Sequence, residues 1–319
     1  MENKKPTLIV DGDILNFTIG RATEDYSDFG DQTCSSFSEE DIIKLLDEGI
    51  NSIAEKCGYD RENIIYSISC EKNYRKRFFP TYKSNRKEVV KPLGLKFLRQ
   101  HLIDNAEKYN LFMIEELEAD DCMGIAGTSG DDSISIYSQD KDLRTIPVRQ
   151  WDFKKEKFWT PTYDQAMKWL YTQVLTGDTV DGYTGCPRIG KVKAEKALAE
   201  CQNDLELLEQ VFVRYYMYYD KDIELAKEKS LEQFGQARIL HQTDLIELKH
   251  FNRTFNPYEI LNVDNEMLTK WSEDYTEALA KAKKKPKKKL SESSIAKAIE
   301  KGLEDNFKPE LHVRSKDAV

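Results

Sequence analysis

Carboxylates recur at the ends of the apolar segments of this sequence, and their spacing suggests chemistry. The set comprises Asp11, Asp13, Glu71, Glu118, Asp120, Asp121, Asp140, Asp142, Asp178 and Asp181. Taken singly, each has an ordinary explanation, because Asp is common in turns and acids favour the first turn of a helix. Taken together, several like charges within about 6 Å of one another cannot all stay ionised without cations.

The chemistry of this set favours a hard metal ion. Carboxylate oxygens suit Mg²⁺ or Mn²⁺, and the set contains no His or Cys that would favour zinc. Two such ions about 4 Å apart can activate a water, brace a leaving oxygen and neutralise a phosphate. We therefore expect a centre for two Mg²⁺ ions, for which Mn²⁺ can substitute.

A second chemical signal is a basic segment over residues 71–101, which interleaves cations with aromatic residues. Candidate contacts to nucleic acid in its first part are Arg75, Lys76, Arg77, Tyr82, Lys83, Arg86 and Lys87. Cations neutralise phosphates, and aromatic faces accept unstacked bases. The alternative is a solvated charged helix that carries a few core aromatics. The overall net charge of −9 does not exclude nucleic acid, because the charge is unevenly distributed.

Alternating elements are expected to position these residues. Short apolar runs at 7–13, 64–69, 111–114 and 133–138 predict strands, and helical spacing recurs over 39–58, 95–109 and 118–127. This order predicts an α/β fold with a parallel sheet covered by helices on both faces. In such sheets the working site lies beyond the carboxyl ends of the strands. The acidic stretch 24–41 is expected to be mobile.

The second half of the chain has a different character. A hairpin is expected over 149–161 and an amphipathic helix over 163–175, followed by a glycine-rich run. Its turn "GCPRIG" (185–190) precedes a lysine-bearing helix, and such a turn lets backbone N–H groups converge on a phosphate. We expect three parts: a metal-binding α/β domain over 1–175, which includes the basic segment, a helical region that binds nucleic acid over 176–280, and a lysine-rich tail over 281–319.

Composition limits the possible classes of protein. The 319 residues are 39% hydrophobic and 33% charged, and no apolar run is long enough to span a membrane. The N-terminus lacks the pattern of a signal peptide. Six cysteines without a CxxC pair argue against disulfide and zinc frameworks and favour a reducing cytoplasm.

Six ordered motifs resemble those of the 5′ nuclease superfamily, which includes flap endonucleases, the 5′ nuclease domains of bacterial DNA polymerase I and phage 5′→3′ exonucleases. They are "VDGD", "YKSNRK", "EADD", "SQDKD", "GDTVDG" and "GCPRIG", and the resemblance covers about residues 7–250. The pattern is most like that of exonucleases from short-tailed lytic phages. The resemblance implies a PIN-like parallel sheet flanked by helices, a helical arch over 71–101 and a C-terminal helix–turn–helix (helix–hairpin–helix-like) DNA-binding region.

The resemblance also implies roles for the acids. Asp11, Glu118 and Asp120 would hold the first metal ion, and Asp140, Asp142 and Asp178 the second. Asp121 and Asp181 would contribute directly or through water. One departure is that "SISCEK" places Cys70 where the family usually has an Asp; Glu71 is expected to substitute for it, the alternative being the loss of one ligand.

For the basic residues, the resemblance implies that Lys83 and Arg86 are catalytic and steady the scissile phosphate. The turn and helix with Gly185, Arg188, Gly190, Lys191 and Lys193 would grip duplex backbone, with K⁺ held by carbonyl groups of the 185–190 turn. The implied activity is Mg²⁺-dependent 5′→3′ hydrolysis of duplex DNA from 5′ ends or flaps, leaving 5′-phosphates. RNA of RNA–DNA hybrids is a further expected substrate.

The setting is expected to be phage DNA degradation or replication in the cytoplasm of a bacterial host, with the protein acting as a monomer. Two alternatives remain: a PIN-like ribonuclease, and a DNA-structure-binding protein whose nuclease centre is inactive, as the irregular "SISCEK" could indicate. The tail could contact DNA or a replication protein, or have no specific role.

Overall fold

The computed structural model describes residues 5–28, 33–247 and 252–284. The chain divides into two compact units, Met1–Ser272 and Glu273–Val319, and the described part of the second unit is helical. None of the helices in the described ranges is both long enough and apolar enough to cross a bilayer. Most of the lysine-rich tail, residues 285–319, lies outside the described residues.

A mainly parallel sheet forms the centre of the first unit. The strands are β1 (Thr7–Asp11), β2 (Glu24–Asp28), β3 (Thr33–Phe37), β4 (Ile64–Ser67), β5 (Leu111–Phe112), β6 (Ile134–Tyr137), β7 (Arg149–Asp152) and β8 (Lys157–Trp159). Six of them form one sheet in the order β5-β4-β1-β6-β7-β8. All neighbours in it run parallel except β7 and β8, which form the predicted hairpin.

Helices surround this sheet and continue beyond it. They are α1 (Gly12–Ala22), α2 (Glu39–Cys57), α3 (Arg75–Phe78), α4 (Leu95–Asp104), α5 (Ala106–Tyr109), α6 (Ala119–Gly127), α7 (Tyr163–Thr176), α8 (Lys191–Leu198), α9 (Asp204–Tyr218), α10 (Ile223–Ala237), α11 (Gln242–Glu247), α12 (Pro257–Ile260) and α13 (Asn265–Lys284). From α7 onward the named elements are helical, as predicted. The predicted domain boundary after residue 175 stays a prediction.

The core has two layers because successive side chains of a strand point to opposite faces. Leu8 and Val10 of β1 belong to a cluster that includes buried residues of α2 and α4, such as Leu46 and Leu98. Ile9, between them, packs on the other face with Met123 of α6. The predicted α/β architecture, with helices on both faces of the sheet, is confirmed.

The prediction of a mobile acidic stretch over 24–41 was wrong for the residues that the structure describes there. β2 and β3 pair as an antiparallel hairpin, and α2 begins at Glu39, capped by the Ser38 side chain. The Glu24 carboxylate accepts hydrogen bonds from Arg21 (2.8 Å) and from the Leu93 N–H (2.7 Å). The high acid content suggested solvated charge, but the Glu24 carboxylate is hydrogen-bonded within the protein. Residues 29–32 lie outside the described ranges.

The predicted helical arch over 71–101 consists of short helical pieces. α3 is followed by a 3-10 turn at Ser84–Glu88 and then by α4. Phe79 caps α3 with φ −126° and ψ 83°, since Pro80 disfavours helical geometry in the residue before it. Lys83 adopts a left-handed conformation with φ 53°. Prolines and this turn therefore divide a segment whose charge pattern alone resembled a helix.

Candidate active site

The carboxyl ends of β4, β1 and β6 lie side by side at the centre of the sheet. β1 pairs in parallel with β4 on one side and with β6 on the other. Because the strand order changes direction at β1, a crevice forms beyond these ends, where α/β proteins commonly bind ligands. Asp11 ends β1 and Asp140 follows β6, while the N-terminus of α6 contributes Asp120. Asp120 interacts electrostatically with both Asp140 and Asp11, so the structure brings these three predicted acids together.

Asp11 is held firmly at the end of β1. Its Oδ1 accepts the Ile14 N–H (3.3 Å) and its Oδ2 accepts the Ser138 hydroxyl (2.6 Å). Burial and the neighbouring Asp13 raise the pKa of Asp11 to about 6, although these hydrogen bonds oppose the rise. A Cβ atom at position 12 would lie only 2.4 Å from the Tyr66 ring. Glycine at this position therefore allows the backbone after β1 to lie directly against β4.

The N-terminus of helix α6 brings two further acids, Glu118 and Asp120, into the crevice, and their pKa values are shifted in opposite directions. Glu118, its N-cap residue, bonds to the Lys83 ammonium (2.6 Å) and the Tyr82 hydroxyl (2.8 Å). Burial alone would raise the pKa of Glu118, but Lys83 and Arg75 outweigh burial and lower it to about 2. Asp120, by contrast, has no hydrogen bond or ion pair among the described residues. Burial and Asp140 raise its pKa well above the ordinary value.

A second group of acids follows β6 and α7. Asp140 caps the 3-10 turn Lys141–Thr145 by accepting the Asp142 N–H (2.8 Å). Asp142 interacts electrostatically with Asp140, Asp178 and Asp181; burial and Asp140 raise its pKa to about 7. The Lys141 ammonium lies 2.5 Å from Asp178 Oδ2 and 3.6 Å from Asp142 Oδ1. The predicted second set of ligands is therefore also brought together, around a lysine.

Lys83 and Arg86 extend from the basic segment to the acids of the crevice. Besides Glu118, the Lys83 ammonium reaches Asp181 Oδ2 at 3.7 Å, and the Arg86 guanidinium contacts Asp181 Oδ1 at 2.5 Å. The backbone N–H of Lys83 also donates to the Asp181 carbonyl (2.8 Å). These contacts hold the basic segment against the loop that follows α7, so the two predicted catalytic cations lie at the acid cluster.

Two residues assigned to other roles form a buried ion pair instead. The Arg75 guanidinium binds both oxygens of Asp121, at 2.6 and 2.7 Å, and also donates to the Arg238 carbonyl. Arg75 is 2% exposed and Asp121 is 1% exposed. Arg75 cannot contact DNA in this position, and the oxygens of Asp121 are already bonded. The DNA-binding assignment of Arg75 and the ligand assignment of Asp121 are corrected accordingly; both residues join the basic segment to α6.

Tyr82 requires the same kind of correction. It was predicted to stack on nucleic acid, but its ring is 3% exposed and its hydroxyl donates to Glu118. Lys76 and Arg77 are exposed, as DNA contacts must be, and Arg77 pairs with Glu116. The side chain of Lys87 lies outside the described part of the structure.

Asp13 lies where Glu71 was expected to contribute. The Glu71 side chain is 85% exposed and extends to Arg99 (4.0 Å), which argues against its role as a ligand. Asp13 instead accepts hydrogen bonds from the Ser69 N–H (3.2 Å) and hydroxyl at the end of β4, and interacts electrostatically with Glu118. The signal for Asp13 was present in "VDGD", where it falls in the first turn of α1.

The glycine-rich run joins α7 to α8 through a tightly packed turn. Gly177 and Gly185 both have positive φ, and a Cβ on Gly185 would lie 2.2 Å from the Gly177 nitrogen. Gly190 caps α8, and Lys193 donates to the Arg188 carbonyl (2.9 Å). Lys191 is largely exposed on α8. The assignment of this turn to duplex DNA and K⁺, and its helix–hairpin–helix character, stay predictions.

The acids offer only oxygen donors, which suit a hard divalent ion. Their positions in this structure do not form a complete set of ligands around one point. Among the described residues, no three His, Cys, Asp or Glu side chains are arranged so that they could hold a metal ion. The ammonium groups of Lys83 and Lys141 each lie between two carboxylates of the set. All donors are oxygens, and Asp120 is a partly buried carboxylate without a partner, so divalent cations would relieve the crowding.

Known exonucleases share sequence with this chain. Residues 39–167 match the family described as 5′-3′ exonuclease, N-terminal resolvase-like domain. The exodeoxyribonuclease of Enterobacteria phage T3 is 31% identical over 200 residues, which cover 58% of this chain and 64% of that protein. The exonuclease of Escherichia phage T7 is 31% identical over 195 residues, covering 57% and 63%. The chain thus spans less than two thirds of the length of these relatives.

Solved structures share the fold. A structure of the T5 5′-exonuclease with bound zinc ions matches with a TM-score of 0.54 and 20% identity, covering 85% of this chain and 98% of that one. The T5 protein co-crystallised with metal ions matches with a TM-score of 0.53 and 19% identity, over the same shares of the two chains. The predicted resemblance to phage 5′→3′ exonucleases is confirmed by the matching family model and by the two phage relatives.

Proposed function

We propose that this protein is a divalent-metal-dependent 5′→3′ exonuclease that hydrolyses phosphodiester bonds of duplex DNA from 5′ ends and leaves 5′-phosphates. The observation that carries the proposal is the meeting of Asp11, Asp120 and Asp140 at the reversal point of the sheet, with Asp120 unpartnered. The names of the T3 and T7 relatives support the activity, and the zinc-bound T5 structure supports a metal centre. Flaps and RNA–DNA hybrids are further proposed substrates.

The proposal assigns the carboxylates to two ions. Asp11, Glu118 and Asp120 would hold the first, with Asp13 replacing the expected Glu71, and Asp140, Asp142 and Asp178 would hold the second. Bound Mg²⁺ would promote attack by water on the phosphorus and neutralise the charge of the phosphate. Asp181 orients Lys83 and Arg86 through the ion pairs described above.

Arg86 and Lys83 have separate roles in this proposal. The Arg86 guanidinium is 48% exposed and can turn from Asp181 to a phosphate oxygen of a bound strand. The Lys83 ammonium is 12% exposed and lies beside Glu118, where it would stabilise negative charge that develops on the reacting phosphate. Lys76 and Arg77 lie on the exposed side of the same segment and would bind the DNA backbone.

The turn at 185–190 and helix α8 would hold duplex backbone away from the reacting bond. Gly190 precedes the first helical N–H groups, and Lys191 offers an exposed ammonium beside them. Such an arrangement suits a phosphate group. In this proposal K⁺ binds carbonyl groups of the turn.

The test is release of nucleotides from 5′-labelled duplex DNA with Mg²⁺, compared with the same reaction in EDTA. Nucleotides bearing 5′-phosphates should appear only with the metal. Asp120→Asn should reduce the rate at least about 10²–10³-fold while DNA is still bound, because an electrostatic group of the reaction site is lost. Asp132→Asn, which changes an exposed Asp, is the matched control.

Three outcomes would contradict the proposal. Equal release in EDTA would exclude a metal-dependent reaction, and a near-normal rate for Asp120→Asn would contradict the assigned site. Cleavage of single-stranded RNA in preference to duplex DNA would favour the ribonuclease alternative.

A further inference from the structure

Lys141 bridges two of the acids that the proposed function assigns to the second metal ion. Its ammonium contacts Asp178 Oδ2 at 2.5 Å and lies 3.6 Å from Asp142 Oδ1. Lys141 lies in the 3-10 turn that begins directly after Asp140. A positive charge from the protein therefore occupies the space between carboxylates that a divalent ion would otherwise neutralise.

The two acids do not depend on Lys141 for their positions. The Val180 N–H donates to Asp178 Oδ1 (2.7 Å), and the Gln173 amide donates to Asp142 Oδ1 (2.5 Å). Gln173 is itself 7% exposed and fixed on α7. If the lysine ammonium left, these neutral donors would still hold both carboxylates in place.

Lys141 also has a route into solvent. Its side chain is 55% exposed, and it lines a cavity of about 480 Å³ whose walls include Lys168, Trp169 and Thr172. The cost of moving its ammonium into water is therefore small, because most of its hydration is already present. Lys83 makes a similar pair of contacts but is only 12% exposed.

We propose that Lys141 is an exchangeable counter-ion of the Asp142–Asp178 pair. Its ammonium occupies the pair when no divalent ion is present and turns into the adjoining cavity when one binds. Lys141 is thus a positioning residue that sets the metal concentration needed at the second site. This inference rests on the proposed function, since it assumes that these acids bind a divalent ion.

Amine labelling measures the exchange directly. The full-length protein is treated briefly with an acetylating reagent, with and without Mn²⁺, and modification of each lysine is measured by mass spectrometry. The Lys141 ammonium is held by Asp178 Oδ2 (2.5 Å) and lies 3.6 Å from Asp142 Oδ1, and these contacts shield it from the acetylating reagent. Its labelling rate should rise about threefold to tenfold when Mn²⁺ releases it from this ion pair. Lys155, which pairs with Asp152 and is 68% exposed, is the internal reference and should not change.

A substitution provides a second measurement. Lys141→Gln should bind Mn²⁺ about fivefold more tightly in a calorimetric titration, because the charge that competes with the metal ion for Asp178 and Asp142 has been removed. Lys155→Gln, the same change at a distant ion pair, should bind like the wild type. These readouts do not require turnover of DNA.

The outcomes separate the inference from the proposed function. If Mn²⁺ binds but the labelling of Lys141 stays unchanged, the ammonium remains on Asp178 and the inference is wrong while the metal centre stands. Unchanged or weaker Mn²⁺ binding by Lys141→Gln would overturn it as well. If the wild-type protein binds no Mn²⁺, the metal dependence of the proposed function fails and the inference fails with it.

Discussion

Two halves of the acidic crevice each contain a lysine that bridges two carboxylates, and they differ in how exposed that lysine is. In the deep half, Lys83 bridges Glu118 and Asp181; in the shallow half, Lys141 bridges Asp178 and Asp142. Each ammonium makes one short and one longer contact. The surroundings differ, because Glu118 also bonds to Tyr82 and lies near the buried Arg75, whereas Lys141 opens to solvent.

The difference shows that the distances within an ion pair do not by themselves determine how much the pair contributes to the stability of the fold. A buried pair leaves an uncompensated charge when one partner is removed, whereas an exposed pair is replaced at little cost by water. The deep half is therefore expected to stabilise the fold and fix the basic segment. The shallow half is expected to exchange its cation.

The largest effect is expected from substitution of Arg75, which is buried beside Glu118. It tests whether the deep half stabilises the fold. Arg75→Met should lower the free energy of unfolding by about 3–5 kcal/mol, because the buried Asp121 carboxylate would lose the positive charge that compensates it. Urea unfolding in EDTA measures this change. Arg77→Met, at an exposed arginine that pairs with Glu116, is the matched control.

A double variant keeps this prediction testable if the single variant folds poorly. Arg75→Met combined with Asp121→Leu removes both charges and should recover part of the lost stability. A loss for Arg75→Met no larger than for Arg77→Met would show that the deep pair is not structural.

A direct comparison of the two lysines sharpens the contrast. In EDTA, Lys83→Gln should lower the free energy of unfolding by about 1.5–3 kcal/mol, since a buried charged hydrogen bond to Glu118 is lost. Lys141→Gln should cost less than about 1 kcal/mol, because this lysine is 55% exposed and Val180 and Gln173 still donate to the two carboxylates. Equal losses in the two variants would contradict the division into a structural and an exchangeable half.

A small effect is expected at the Ser138 hydroxyl, which joins Asp11 to Asp140. Ser138 donates to Asp11 Oδ2 (2.6 Å) and accepts the Asp140 N–H (3.0 Å). Ser138→Ala should cost about 1 kcal/mol of stability and reduce nucleotide release less than about tenfold, because other bonds still hold both acids. Ser129→Ala, which removes an exposed hydroxyl bond to Ala126, is the control. A loss as large as that of Asp120→Asn would show that Ser138 itself takes part in the reaction.

Local patterns were sufficient to predict that most of these acids lie at one edge of the sheet. Asp11 and Asp140 were predictable because short apolar runs mark strands, and the ends of parallel strands meet at one edge of a sheet. The hairpin at 149–161 and helix α6 were predictable for the same reason: each depends on neighbours in the sequence. The hairpin formed by β2 and β3 was missed because its acids were interpreted only as solvated charge.

The state of each charged side chain could not be predicted in this way. "RKRFF" gave no sign that Arg75 turns inward while Arg77 stays exposed. Arg75 is buried by Asp121 and by the carbonyl of Arg238, which lies 163 positions later in the chain. Likewise, Asp13 rather than Glu71 lies near the other acids, because the Ser69 N–H after β4 donates a hydrogen bond to the Asp13 carboxylate.

The sequence by itself determined the kind of chemistry: oxygen ligands at strand ends, beside a basic segment. Only the tertiary structure decided which cation faces which carboxylate and how deeply each pair is buried. The physical reason is that strand and helix patterns are properties of adjacent residues, whereas desolvation depends on segments that meet only after folding.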